Sequence, residues 1–233
     1  MSDQRGQDPA VPGTAVQDVV APRPVLGREA VHRGRVWDVV TDRVDLGHST
    51  VTREVIDHPG AVAVVALDPD DRVLLLRQYR HPVGRELWEV PAGLLDVDGE
   101  PAELTAAREL AEEADLRAAS WAVLTDYYTT PGGSTEALRV FVARDLSPVP
   151  DDERFERHDE ERDIEVRWVP LDDAVAAVLS GAVHNPSAVV GVLAAHASRA
   201  GGWASLRPAD VAWPERRRAP LLDRAADGDL ATA

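Results

Sequence analysis

Glu100, Arg108, Glu109, Glu112 and Glu113 fall in one stretch, GLLDVDGEPAELTAARELAEEADL, that runs from Gly93 to Leu116. Pro101 suits the first helical turn, where its missing N–H would lack a partner in any case, and the run to Ala114 is rich in Ala, Leu and Glu. The stretch therefore reads as a helix entered from a PAG turn at Pro91–Gly93. Residues three and four apart share a helix face, so Glu109, Glu112 and Glu113 converge, while Leu104, Ala107, Ala111 and Ala114 form an apolar stripe able to pack on a sheet. Like charges at this spacing cost about 0.2–0.5 kcal/mol per pair on an exposed helix, a penalty that a hard divalent cation reverses. Oxygen-only ligands favour Mg2+ or Mn2+. An isolated glutamate pair is usually a solvated surface, but here the arginine, the glutamates and the apolar positions agree at once. The residues thus point to metal-dependent chemistry, with Arg108 pairing Glu100 or Glu112 to orient the loop.

These side chains need a scaffold, and the flanking sequence supplies the signals for one. REAVHRGRVWDVVTDRVDL and TVTREVIDH alternate as antiparallel strands do, with a turn at Asp45 to Ser49. AVAVVAL, Ala61 to Leu67, is a continuous apolar run fit for a central strand, and DPDD before RVLLLRQY predicts a hairpin. WAVLTDYY, ALRVFVARDL and IEVRWVP predict further strands, followed by helices over LDDAVAAVLSG and PSAVVGVLAAHASRA. The expected organisation is an N-terminal tail over 1–25, a small β layer over 26–59, a catalytic domain over 60–200 and a C-terminal tail over 201–233, in which Arg216, Arg217 and Arg218 read as a solvated charge run.

Composition limits the partners. A chain of 233 residues with 44% hydrophobic content can bury one substantial core. Its formal net charge of -16 opposes nonspecific binding to nucleic acid or to an anionic membrane. With no cysteine, neither a disulfide framework nor a thiolate metal site is possible, which is compatible with the cytoplasm. No apolar run approaches the roughly 20 residues that span a bilayer, and the N-terminus lacks the pattern of a signal peptide.

Gly93, Glu100, Arg108, Glu109, Leu110, Glu112, Glu113 and Leu116 together resemble the Nudix box. Two departures stand out: one extra residue between Gly93 and Glu100, and Asp115 where a closing glycine is expected. TREVIDHPGAVAVVAL, RQYRHPVGRELWEVPAGLLD and the box resemble the ADP-ribose pyrophosphatase subfamily in particular, in which a longer glycine loop is also known. The resemblance implies a Nudix fold, an α/β/α sandwich around a mixed sheet, with a small N-terminal antiparallel β layer that pairs two subunits as a homodimer. It implies hydrolysis of ADP-ribose to AMP and ribose 5-phosphate, with Glu109 and Glu113 as metal ligands, Glu112 as a second-metal ligand and the carbonyl of Ala92 joining the shell. Related enzymes place a catalytic glutamate in the loop that corresponds to DDERFERHDEERD, and anchoring on Asp163 and Ile164 puts that role on Glu160, with Glu161 as the alternative. Arg53 and Arg80 match nucleotide-site positions, Glu89 either binds substrate or orients an arginine, and Pro131 matches a proline that accompanies ADP-ribose hydrolases. Scaffold ion pairs remain open for the arginines and Glu89. Another nucleoside diphosphate sugar as substrate, or a sensor that binds ADP-ribose without cleaving it, are the alternative functions.

Overall fold

The computed structural model describes residues 16–97, 99–156, 164–216 and 221. Strands β1 (Val25–Arg33), β2 (Asp38–Asp45) and β3 (Thr50–Asp57) form an antiparallel meander in the order β1-β2-β3. The stretch REAVHRGRVWDVVTDRVDL makes two of these strands, because the chain reverses at Gly34. A Cβ there would lie 2.3 Å from the Trp37 carbonyl oxygen, and the Gly34 N–H donates to Asp38 Oδ1 at 3.1 Å. Only glycine tolerates so close an approach.

The core is built on β4 (Ala61–Ala66), every residue of which is buried. It runs parallel to β9 (Ala137–Pro148) and antiparallel to β7 (Ala92–Leu94). With β8 (Leu116–Tyr128) and the short β11 (Arg207–Pro208) the order is β11-β8-β9-β4-β7. Side chains alternate across a strand, so an all-apolar strand must be covered on both faces. Val62, Val64 and Ala66 meet Ala106 and Leu110 of helix α1 (Ala102–Ala114). Ala61, Ala63 and Val65 meet Ala188, Val192 and Ala195 of α3 (Pro186–Ala200) and Leu171 and Ala174 of α2 (Leu171–Leu179). This is the expected sandwich of helices on both faces of a mixed sheet. Each fully buried Val contributes about 1.5–3 kcal/mol relative to exposure.

The DPDD segment does turn, with Asp71 at φ 55° and Asp68 accepting the N–H groups of Asp70 and Arg72 at 3.0 and 2.8 Å. The predicted hairpin does not follow, because β4 is already paired on both edges. Instead β5 (Arg72–Arg80) leaves for another sheet, between β10 (Glu165–Pro170) and β6 (Arg85–Glu89), and a single bridge, Leu67 to Val73, remains of the hairpin.

Helix α1 corrects the expected stripe. Leu104 is 57% exposed, and the apolar row on the sheet is Ala102, Ala106, Leu110 and Ala114. Its neighbouring row, Thr105, Glu109 and Glu113, is buried too. The helix has rolled so that carboxylates flank the core. Pro101 is the N-cap rather than a first-turn residue, and Asp115 closes the helix at φ 53°, ψ 35°, the left-handed conformation for which a glycine is otherwise preferred. Residues 201–216, read from the sequence as tail, include β11 against Val123 and Ala122 of β8 and place Trp213 in the core. Among the described residues no helix is long and apolar enough to cross a membrane.

Candidate active site

The segment ahead of the box is a strand and not a turn: Ala92 and Gly93 pair with Ala63 and Val62 as β7. Gly93 is needed for a different reason than backbone freedom. A Cβ at this position would lie 2.0 Å from Cδ of Glu109, so glycine is what lets the α1 carboxylate lie against the strand. One turn on, Glu113 Oε2 accepts the N–H of Ala92 at 3.0 Å. Both Glu109 and Glu113 are buried.

Arg108 gathers the remaining acids. Its Nη1 donates to Glu109 Oε1 at 2.8 Å and to Glu112 Oε2 at 3.2 Å, and its Nη2 donates to Glu100 Oε2 at 3.4 Å. Both expected partners are present, with Glu109 as a third. Burial disfavours the Arg108 charge, but Glu109, Glu100 and Glu112 outweigh it and raise its pKa above the ordinary value. Burial pushes the Glu100 pKa up, yet the Thr105 hydroxyl at 2.8 Å and Arg108 hold it below the ordinary carboxylate value, with Arg216 adding to the effect. Each box carboxylate thus meets a donor of the protein itself. Among the described residues no three His, Asp or Glu side chains gather as a ready-made metal cluster.

A second charged unit sits on the β5–β6 pair. Arg80 Nε and Nη2 donate to the two oxygens of Glu89 at 2.9 and 2.6 Å, and the carboxylate side chain is 2% exposed against 43% for the arginine. A planar guanidinium held by both oxygens of a buried carboxylate is a positive charge fixed in direction. In this structure both Glu89 oxygens are engaged by Arg80.

Arg53 lies on β3, in a different sheet from Arg80, exposed and donating to the Thr52 carbonyl at 2.9 Å. Pro131 is exposed at the tip of the β8–β9 loop, which docks on β3 through the Ile56 N–H to the Gly133 carbonyl at 2.8 Å and the Thr135 N–H to the Ile56 carbonyl at 3.0 Å. Glu160, Glu161 and His158 lie outside the described residues.

Two contributors to the box, and one buried histidine away from it, have no counterpart in the expected site. Thr105 had a visible signal, a hydroxyl one turn into the helix behind Glu100. Arg216 Nη1 donates to the Glu100 carbonyl at 3.2 Å, although the residue was read as part of a solvated run. His58 is buried beside Glu136, its Nε2 3.7 Å from Oε1, and stacks on Trp37 with ring centroids 5.8 Å apart. Nothing in the sequence links these positions.

The family model described as NUDIX domain matches residues 57–188. Over 201 residues the chain is 46% identical to an ADP-ribose pyrophosphatase of Mycobacterium tuberculosis, an alignment that covers 86% of this chain and 95% of that protein. It is 36% identical over 161 residues to the ADP-ribose pyrophosphatase of Bacillus subtilis, covering 69% and 85%. A crystal structure of an ADP compounds hydrolase aligns with a TM-score of 0.63 at 22% identity, covering 80% of this chain and 98% of the other, which is a likeness of fold.

Proposed function

Because this chain belongs to the Nudix hydrolase family and is an enzyme of that family, we propose that it cleaves the pyrophosphate of ADP-ribose to AMP and ribose 5-phosphate. The near full-length likeness to ADP-ribose pyrophosphatases carries this assignment. Geometry supports it through the box, where buried Glu109 and Glu113 lie against β7.

The donor set fits a hard divalent cation, Mg2+ or Mn2+: carboxylate and carbonyl oxygens in a chain without cysteine, with Gly93 keeping the cradle beside Glu109 clear of a side chain. Glu109, Glu112, Glu113 and the Ala92 carbonyl would hold it. When bound, such a cation neutralises diphosphate oxygens and acidifies the attacking water. Glu160 would serve as the general base for the attacking water, with Glu161 as the alternative, since the box carboxylates would be engaged with the cation. Arg80, fixed by Glu89, meets a phosphate. Arg53 and Pro131 complete the substrate site, while Gly93, Glu100 and Arg108 shape the motif.

The β1–β3 layer is read as the surface of a homodimer, supported by Val25, Leu26, Val31 and Ile56, which stand exposed on its strands. A sedimentation or light-scattering mass of one chain would remove this part of the reading. Composition supports a cytoplasmic enzyme that binds neither nucleic acid nor an anionic membrane.

The test is a product assay on ADP-ribose, other nucleoside diphosphate sugars and dinucleotides with Mg2+ or Mn2+. AMP should form from ADP-ribose and cease on chelation. Preferential turnover of another sugar nucleotide would replace the substrate, and unchanged turnover after exhaustive chelation would remove the metal.

A further inference from the structure

The C-terminal stretch from Arg207 is tied to the box by more than one contact. Its strand β11 pairs with β8 at Val123 and Ala122. The carbonyls of Val211 and Ala212 accept from Arg139 Nη1 and Nη2 at 2.8 and 3.4 Å. Trp213, 7% exposed, lies over the Arg139 guanidinium at 4.7 Å and belongs to the same apolar cluster as Ala106 and Leu110 of α1. The chain then turns, with the Arg216 N–H to the Trp213 carbonyl at 3.3 Å, and the Arg216 side chain reaches the Glu100 carbonyl.

Glu100 is consequently held at both ends. Its backbone carbonyl, immediately before the α1 N-cap, takes a charged donor from the strap, and its carboxylate takes Thr105 and Arg108. Arg108 in turn divides Nη1 between Glu109 and Glu112. A shift of the Glu100 backbone would move the acceptor that fixes one side of the Arg108 fork, and with it the partners of the other side.

We propose that residues 207–216 form a strap belonging to the active site, with Arg216 a positioning residue that fixes Glu100 and, through it, the Arg108 guanidinium against Glu109 and Glu112. This rests on the reading of those glutamates as cation ligands. Arg216 acts through Glu100, to whose carbonyl it donates. Supports behind metal ligands characteristically cost about tenfold or more in metal affinity or activity when removed.

The experiment compares wild type, Arg216→Ala, Arg216→Met and Arg216→Lys as full chains, with Mn2+ binding to the metal-free protein followed by electron paramagnetic resonance, kcat and KM for ADP-ribose, and thermal midpoints. Arg216→Ala should weaken Mn2+ binding and lower kcat by about tenfold with KM changed less than about twofold, while its midpoint stays within about 2 °C of wild type. Arg216→Lys, which can still donate to the carbonyl, should recover most of both. Arg216→Met keeps the aliphatic stem and removes only the donors, so it carries the same expectation if the alanine variant folds poorly. Wild-type Mn2+ affinity in both alanine and methionine variants, or a loss of kcat that tracks only the unfolded fraction, would overturn the proposal. If the wild type does not turn over ADP-ribose, the substrate assignment fails, and the Mn2+ comparison alone decides the strap.

Discussion

Arg139 and Arg108 both sit among carboxylates at the edge of the same core, and they are treated in opposite ways. Arg139 is 2% exposed and fully matched: Asp126 takes two parallel hydrogen bonds at 2.7 and 3.0 Å, two strap carbonyls take others, and Trp213 covers the guanidinium face. Asp126 gains a second cation in Arg207 at 2.9 Å. Around Arg108, 33% exposed, one guanidinium serves Glu100, Glu109 and Glu112, with Glu113 close by on the same helix, and its buried Nε has no hydrogen-bond partner among the described residues. Evenly paired charge is scaffold. Several carboxylates sharing one guanidinium on a rigid helix are, on the proposed function, where a cation would bind.

If that distinction holds, perturbing Arg139 should register chiefly as stability. Arg139→Ala leaves Asp126 partly buried with only Arg207 and uncovers Trp213, so the folding free energy should fall by about 3–5 kcal/mol. Urea denaturation is the check, and a midpoint equal to wild type would erase the contrast. At the other site the effect should register as rate. Glu113→Gln keeps an oxygen for the Ala92 N–H and so should fold normally, yet it removes a charge and should lower kcat by about a hundredfold. Near wild-type turnover at limiting Mn2+ would show that Glu113 is scaffold as well. Gly93→Ala probes the same site through space: with 2.0 Å between the new Cβ and Cδ of Glu109, the carboxylate must swing away. A loss of about tenfold in kcat is expected, read beside Mn2+ affinity, which should fall in parallel.

How far the sequence could be read follows the same division. The box carboxylates were legible because helical spacing is a local property: Glu109, Glu112 and Glu113 share a face whatever the helix packs on. Which other face is buried was not, since Leu104 and Leu110 are equally apolar and only the position of the sheet chooses Leu110. The Nudix-type sandwich was visible in the alternation of strand and helix signals, but DPDD misled, because a turn reports the chain's local path and not whether the strands on either side will pair. Gly93 is conspicuous in the sequence, but its spacing does not reveal its use. One-dimensional reading offers glycine as a turn residue, whereas its use here is to admit Glu109. Arg139 and Asp126 are directly opposed across β8 and β9, a pairing set by register 13 residues apart in sequence, and Arg216 meets Glu100 from 116 residues away. Such partners are products of the fold and leave no spacing to recognise.

The smallest effect should come from a buried titratable group on the evenly matched side of the divide. His58 Nδ1 accepts the Gly60 N–H at 3.1 Å, so the neutral ring carries its proton on Nε2, toward Glu136. Burial lowers its pKa below the ordinary 6.5, against the opposing pull of Glu136 and Asp57. Protonation would also put a hydrogen on Nδ1, facing the Gly60 N–H. For a base with a depressed folded pKa, the unfolded chain takes up the proton first as pH falls. Stability from neutral His58 is therefore complete above pH 6.5 and declines below it, through the lower folded pKa. One proton limits the slope to about 1.4 kcal/mol per pH unit. His58→Asn retains an acceptor for Gly60 and cannot titrate, so the difference in thermal midpoint between wild type and variant should narrow as pH drops from neutrality through the acid side of 6.5. A difference that is constant with pH would mean that His58 does not titrate with folding, and that its burial is no harder on the charged ring than solvent is.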